Sequence, residues 1–380
     1  MIEGAYDPRP SPRCPVRLVV LLFVAWMAHD AWAINQRHFQ FQYEFTVRDL
    51  PASARQVDVW VPVPWNSDDQ QMRRMEIQSP VEGRILTEKK HGNRVWHAVF
   101  EPPKDGTFSA ALVFDLVRSE VRNDTPSTGV DRDESHGSRM YLGASRLVPV
   151  ADRFFKLARS RTTGLNDPLR SGRALYDLVL DRMSYDKNVP GWGRGDALRA
   201  CEVGKGNCTD FHSLFIALAR SIDIPARFWI GFPLPENRGT SEVAGYHCWA
   251  EFWVPGRGWV AVDISEADKH PDRADFFYGN LDENRVAFSL GRDLVLPPGQ
   301  RGPPLNYFVY PYVEVDGIPW EKVDYRFVVK DLPQTTRRPQ KGKPIERRTI
   351  VADHAGAVAE EGFGGNRDTV RSIVSGVAGE

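Results

Sequence analysis

Cysteine is scarce in this 380-residue chain, with four in all, and no two are spaced as Cys-x-x-Cys. A ribbon-type zinc site and a disulfide-dense scaffold are thereby excluded. Charge of one sign is also lacking: 49 Lys and Arg face 50 Asp and Glu, and no stretch of the middle of the chain concentrates either. Without a basic face, nucleic acid is not an expected partner. Long apolar runs are missing too, since the longest, Leu18 to Ala28, has about eleven residues where a spanning helix needs roughly 20. No glycine-rich nucleotide loop, flavin motif or pyridoxal motif occurs, so no cofactor is expected. The carboxylates Asp268, Asp272, Asp275, Asp282 and Glu283 do not have the spacing of a calcium loop and read as a solvated acidic stretch. No internal repeat is present.

What the first residues do have is the layout of an export signal. Arg9, Arg13 and Arg17 precede the short apolar run, which closes at His29-Asp30 and is followed by Ala31-Trp32-Ala33. Residues 1–33 are expected to be a signal peptide cut after Ala33, leaving a periplasmic or extracellular protein with no stable membrane span. No cysteine follows the cut, so a lipid anchor there is not expected. Cys14 leaves with the signal, and the mature chain keeps Cys201, Cys208 and Cys248. An odd number leaves at least one thiol free unless it pairs with another chain. Either Cys201 bonds Cys248, or all three are reduced and Cys201 and Cys248 are buried as small apolar residues.

An apolar content of 42% over this length supports two folded units. From 37 to 121 apolar and polar residues alternate over short stretches, as in Phe39-Gln40-Phe41-Gln42-Tyr43, Val57-Asp58-Val59-Trp60-Val61, Val95 to Phe100 and Phe108 to Val117. Period two with intervening turn residues predicts a small β-sandwich. Residues 122–140, almost devoid of apolar side chains, read as a linker. The unit from 141 to 330 begins with helical spacing in Val148 to Arg159 and Ser171 to Met183, and its clearest helix runs from Thr209 to Ile222. Strands are expected at Arg227 to Gly231, His247 to Trp253, Trp259 to Ile264 and, at a sheet edge because of Pro311, Tyr307 to Val315. Residues 331–380, basic and then rich in Gly and Ala, are expected to be disordered.

The chemistry centres on Gly204-Lys205-Gly206-Asn207-Cys208-Thr209, which places a thiol where a glycine-containing loop enters the long helix. Unpaired N–H groups and the macrodipole at that end favour the thiolate. A thiolate nucleophile needs a positioned imidazole, and His247 opens a strand about forty residues on. On that strand His247, Trp249 and Glu251 share one face, and Cys248, Ala250 and Phe252 the other. Cys248 is therefore expected to turn into the core, away from the site. Asp263 lies beyond the hairpin. A loop from Val254 to Gly258 that pairs Trp253 with Trp259 sets Asp263 opposite Trp249 and on the face of His247. Cys208 as nucleophile, His247 as proton shuttle and Asp263 as orienter make a thiol triad. The oxyanion would meet the Cys208 N–H and one donor among Trp192, Asn207 and Trp249. A zinc site drawn from Cys201, Cys208, His212, His247 and Cys248 is the chemical rival, disfavoured by its spacing. His212, four residues after the thiol, either tunes it or bonds at the sheet interface. Arg220 and Arg227 are expected to be structural, and Trp192, Trp229, Trp249, Trp253 and Trp259 either line a substrate groove or, for the most part, pack in the core.

Gly206-Asn207-Cys208-Thr209-Asp210-Phe211, Ala219-Arg220-Ser221-Ile222-Asp223-Ile224-Pro225-Ala226-Arg227, His247-Cys248-Trp249-Ala250-Glu251-Phe252 and Gly258-Trp259-Val260-Ala261-Val262-Asp263 together resemble the transglutaminase-like core, in order and spacing, over about 141 to 265. The resemblance implies a papain-like α+β fold in which the cysteine helix packs on an antiparallel sheet. Asp223 stands where the family usually has glycine in a left-handed turn. The family includes cross-linking enzymes, peptidases, amide hydrolases and inactive members. The expected function is cleavage of an amide, isopeptide or peptide bond through an acyl-thioester on Cys208, with a peptide, protein or peptidoglycan-type substrate. Cross-linking of the glutamine γ-glutamyl type and a non-catalytic envelope binding module are the alternatives.

Overall fold

The computed structural model describes Met1 and residues 34–123, 138–333 and 346–351, the last stretch by its backbone. The expected signal peptide, most of the expected linker and most of the expected tail lie outside the described residues. The described residues from Gln36 onward form one compact unit. Among the described residues no helix is long and apolar enough to cross a membrane.

Strands β1 (Gln36–Val47), β2 (Val57–Val63), β3 (Gln70–Ser79), β4 (Gly83–Thr87), β5 (Arg94–Phe100) and β6 (Phe108–Ser119) come first. Helices α1 (Asp152–Thr162), α2 (Pro168–Arg182), α3 (Ala197–Val203) and α4 (Cys208–Ser221) follow, with the two-residue strands β7 (Ser184–Tyr185) and β8 (Lys205–Gly206) between them. Then come β9 (Ala226–Pro233), β10 (Thr240–Glu242), β11 (His247–Val254), β12 (Gly258–Val262), the short helix α5 (Ile264–Lys269), β13 (Tyr278–Gly279) and β14 (Arg285–Leu290). The described chain ends with β15 (Tyr312–Val315), β16 (Ile318–Pro319), β17 (Val323–Asp331) and β18 (Glu346–Val351).

The alternation seen in the sequence builds the sandwich. One sheet has the order β10-β17-β1-β6-β3-β18 and the other β16-β15-β2-β5-β4. Phe39, Phe41, Tyr43 and Phe45 of β1 and Val57, Val59, Val61 and Val63 of β2 point into one shared core, as period two requires. Both sheets recruit strands from far along the chain: β15 pairs with β2 and β17 with β1, both antiparallel. Residues 37–121 therefore supply only part of the sandwich, because β1 and β2 would otherwise be open edges.

Three further expectations are corrected. Strand β18 pairs parallel with β3, so 346–351 is ordered within the stretch expected to be disordered. The strand expected from Tyr307 starts only at Tyr312, since Pro311 has no N–H to give to a ladder. Helix α1 likewise starts after Pro149 and Val150 rather than at Val148.

The second layer is an antiparallel sheet of order β13-β12-β11-β9-β14 with α4 packed on it, Phe215 meeting Phe252 of β11 at 5.9 Å. Helix α4 is buried on nearly every side, which explains why it is apolar beyond a single stripe. At its exit Asp223 adopts φ of +62°, so aspartate takes the left-handed position usually given to glycine. The sandwich and this sheet share a core: Phe41 lies 5.1 Å from Phe232 of β9 and 5.4 Å from Phe288 of β14.

Candidate active site

Helix α4 begins at the thiol because its preceding residue caps it. The Asn207 side chain accepts from the Thr209 N–H at 3.0 Å, and the Asp210 carboxylate accepts from the Asn207 N–H at 3.0 Å. This reciprocal pair is a capping box. Asp210 also accepts from the N–H groups of Gly193 (2.8 Å) and Gly195 (3.1 Å). The carboxylate thus ties the Gly191–Gly195 loop, whose three glycines all have positive φ, to the turn that presents Cys208. Cys208 is 1% exposed and His247 4%.

The β11–β12 hairpin has the register read from the sequence, with Trp253 opposite Trp259 and the ladder closed by Val254 opposite Gly258. Strand β12 stops at Val262, and Asp263 caps α5 instead of extending the strand: its Oδ1 accepts from the Glu266 N–H and the Ser265 hydroxyl, both at 3.1 Å. That leaves Oδ2 for His247 Nε2, 2.7 Å away. With Nε2 committed, Nδ1 is the imidazole nitrogen left to serve the thiol, 3.9 Å from Glu266 Oε1, and the Cys208 and His247 side chains are near enough for each to shift the other's pKa.

Electrostatics follow from burial and pairing. Burial alone would raise the Cys208 thiol, but hydrogen bonds to Cys248 and His247, together with the positive imidazole, hold it well below its usual value. Burial would lower His247, yet the charge and hydrogen bond of Asp263 and the contact with Cys208 raise it to about 10. Asp263, which burial would push up, is held well below the ordinary carboxylate range by His247 and by the guanidinium of Arg285. Thiolate, imidazolium and carboxylate are the resting ionisation states that these shifts describe.

Among the three oxyanion candidates the geometry differs. Asn207 spends its carbonyl on Thr209 and donates Nδ2 to the Tyr246 hydroxyl at 2.8 Å. Trp249 packs on Trp229, with ring centroids 6.4 Å apart, and lies beneath Arg285 at 5.3 Å. Trp192 sits in the loop fastened by Asp210, with Lys187 Nζ 5.5 Å from its ring.

Cys248 is buried, as the alternation requires, but it does not leave the site. Its sulfur is 3.7 Å from His212 Nδ1 and 3.8 Å from Thr209 Oγ1, and burial and the neighbouring Cys208 raise its pKa well above the usual thiol value. The face of β11 opposite His247 is the face that α4 covers, and Cys208 stands at the start of α4. All three mature-chain cysteines are free thiols. His212 accepts from the Ile264 N–H through Nε2 at 3.0 Å, and burial lowers its pKa, so it is a neutral ring with its proton on Nδ1. Arg227 pairs with Glu251 at 2.6 Å and stacks 3.9 Å from the Trp259 ring, and Arg220 donates to the carbonyls of Ala226 and Gly143. Both are structural, as expected.

Sequence reasoning missed Arg285, Tyr246, Glu266 and the second role of Asp210. The Asn-x-x-Asp and Asp-x-x-Glu spacings at 207–210 and 263–266 are capping signals that were available. Arg285 and Tyr246 carry no local signature.

The model of the transglutaminase-like superfamily core matches residues 156–264, which span Cys208, His247 and Asp263. An uncharacterised protein of Haemophilus influenzae is 30% identical across 76% of this chain and 91% of its own length. Among solved structures, one from Cytophaga hutchinsonii, classed provisionally as a cysteine protease, overlaps with a TM-score of 0.52 at 15% identity, covering 80% of this chain and 95% of that one. The periplasmic domain of TgpA from Pseudomonas aeruginosa overlaps loosely, with a TM-score of 0.34 at 15% identity over 63% of this chain and 93% of that domain. With the four boxes in order, the cysteine helix on its antiparallel sheet and the family model over both, the chain belongs to the transglutaminase-like superfamily.

Proposed function

We propose that this protein is an exported thiol hydrolase that cleaves an amide, isopeptide or peptide bond through an acyl-thioester on Cys208. The observation that carries the reading is the 2.7 Å bond from His247 Nε2 to Asp263 Oδ2, which leaves the other ring nitrogen for a buried thiol of lowered pKa. The Cys208 thiolate attacks the scissile carbonyl, and the His247 imidazolium gives its proton to the departing amine. Neutral His247 then takes a proton from water, which attacks the thioester, releases the acid and returns Cys208 as the thiolate beside the imidazolium. Asp263 keeps the ring in one tautomer throughout. The Cys208 N–H, at the first helical position and so without a helical acceptor, is one oxyanion donor, and the Trp192 indole is the other in this reading. Peptide, protein or peptidoglycan-type amides are the substrate class that suits an exported enzyme of this chemistry.

The test uses the mature chain. Iodoacetamide at mildly acidic pH is expected to modify Cys208 at least tenfold faster than Cys201 or Cys248, and His247→Ala to abolish that preference. Equal labelling of the three thiols would sink the reading and favour a non-catalytic binding module. With a peptide and amide library, a primary-amine probe is expected to stay out of the product; its incorporation would make water the wrong acceptor.

A further inference from the structure

We propose that Arg285 is a positioning residue of this site, a fourth buried member whose guanidinium keeps Asp263 ionised and turned toward His247. The proposal rests on the function proposed above. Arg285 is the first residue of β14, opposite Pro233 of β9, and its side chain is 3% exposed. Its Nη1 donates to Asp263 Oδ2 at 2.7 Å, the same oxygen that His247 Nε2 meets at 2.7 Å. Its Nη2 lies 3.3 Å and its Nε 3.4 Å from Asp282 Oδ1, so the fork is held from behind, with the Trp249 ring at 5.3 Å.

A structural role alone does not explain this arrangement. Asp263 already caps α5 through Oδ1 and is bound by His247 through Oδ2, so its hydrogen bonding is largely satisfied without Arg285. Removing a guanidinium from water costs several kcal/mol, which a neutral donor would avoid. What only a cation supplies is charge balance. With Cys208 and Asp263 negative and His247 positive, the buried array carries one net negative charge, and Arg285 brings it to zero. The other groups facing it are neutral His212 and Cys248, Glu266 paired with Lys269 at 2.7 Å, Asp282, which Arg285 at 3.3 Å shares with Arg273 at 3.8 Å, Tyr176 and Tyr185, and Arg118 of β6. None of these cations is bonded to Asp263, and Arg285 is.

Removing the positive charge has a distinctive sign. It weakens the thiolate and strengthens the imidazolium, so both pH limbs move up. The experiment records the rate of Cys208 alkylation by iodoacetamide against pH, and the alkaline loss of turnover, for the wild type, Arg285→Gln and Arg285→Lys, each checked for cooperative unfolding. Arg285→Gln is expected to lower alkylation at least tenfold at pH values below the wild-type midpoint and to carry the alkaline limb upward, while Arg285→Lys stays within about threefold of the wild type because it keeps the charge. A folded Arg285→Gln whose two limbs coincide with those of the wild type would overturn the proposal. Should Arg285→Gln not fold, Asp282→Asn decides: removing a neighbouring negative charge is expected to move the alkylation midpoint down, and no shift counts against Arg285. If wild-type Cys208 shows no preferential alkylation at all, it is the thiol-triad reading that fails and not this refinement of it.

Discussion

Two buried carboxylates flank the start of the Cys208 helix, and they are satisfied in opposite ways. Asp210 receives three backbone N–H groups, from Gly193, Gly195 and Asn207, and burial raises its pKa. Asp263 receives a ring nitrogen and a guanidinium as well as a hydroxyl and one N–H, and these hold its pKa well below the ordinary range despite burial. Both are 0% exposed. Backbone donors carry no titratable charge, so Asp210 fixes a chain path: it fastens the loop that bears Trp192 to the turn that bears Cys208. Charged donors answer to protonation, so Asp263 fixes an ionisation state. The same side chain serves as a clamp on one side and as an electrostatic reference on the other.

Replacing each by its amide breaks the comparison most sharply. Asp263→Asn takes from Arg285 the nearer of its two carboxylate partners and leaves it only Asp282, which costs up to about 3–5 kcal/mol, and removes what keeps His247 protonated. Turnover is expected to fall by about 10³–10⁴, and selective alkylation of Cys208 at mildly acidic pH to disappear. Asp210→Asn turns an amide N–H₂ toward backbone donors and costs about 1–3 kcal/mol, with faster hydrogen exchange at Gly193 and Gly195. Its Cys208 alkylation profile is expected to keep the wild-type midpoint. Equal loss of alkylation in both variants would show that Asp210 is also part of the electrostatics.

A smaller effect separates the charge array by pH. His247 is raised to about 10 and Cys208 is lowered, so the thiolate and imidazolium coexist from mildly acidic pH up to about 10. Above that, in the proposed mechanism, the leaving amine has no proton donor. Turnover is expected to fall about tenfold per pH unit beyond the midpoint, while alkylation, which needs only the thiolate, continues. Turnover that falls off near pH 7 would mean that Asp263 does not hold the imidazolium in place.

How much of this could be read in advance divides along the same line. The α4 helix was legible because Phe211, Leu214, Phe215 and Leu218 recur at helical spacing, and the hairpin register because five residues join Trp253 to Trp259. These are local patterns, set by the period of one element. The strands β15 and β17 carry legible alternation too, but their partners lie more than 200 residues away, and pairing over that separation depends on which edges the rest of the fold leaves open. Arg285 was not legible for the same reason: it reaches Asp263 only because β14 comes to lie beside β9 across a register shift between Ala287 and Ser289. The alternation placed Cys248 on the correct face. That face is core, and it is also the face against which the first turn of α4 packs, which brings Cys248 to Thr209 and His212.

Cys248 gives the smallest test, and it probes how much of the thiol's activation is charge at all. Its sulfur faces neutral His212 at 3.7 Å, and Cys248 is among the groups that lower the Cys208 pKa, so its help to the thiolate comes from an uncharged neighbour. A neutral hydrogen bond is worth about 1 kcal/mol, and Cys248→Ala is expected to lower Cys208 alkylation at acidic pH by about fivefold, with Cys248→Ser restoring most of it. Asp263→Asn, acting through charge, is expected to do far more in the same assay. If Cys248→Ala matched it, the thiolate would owe its stability to the hydrogen-bonded packing between β11 and α4, and the contrast between the two carboxylates would concern His247 alone.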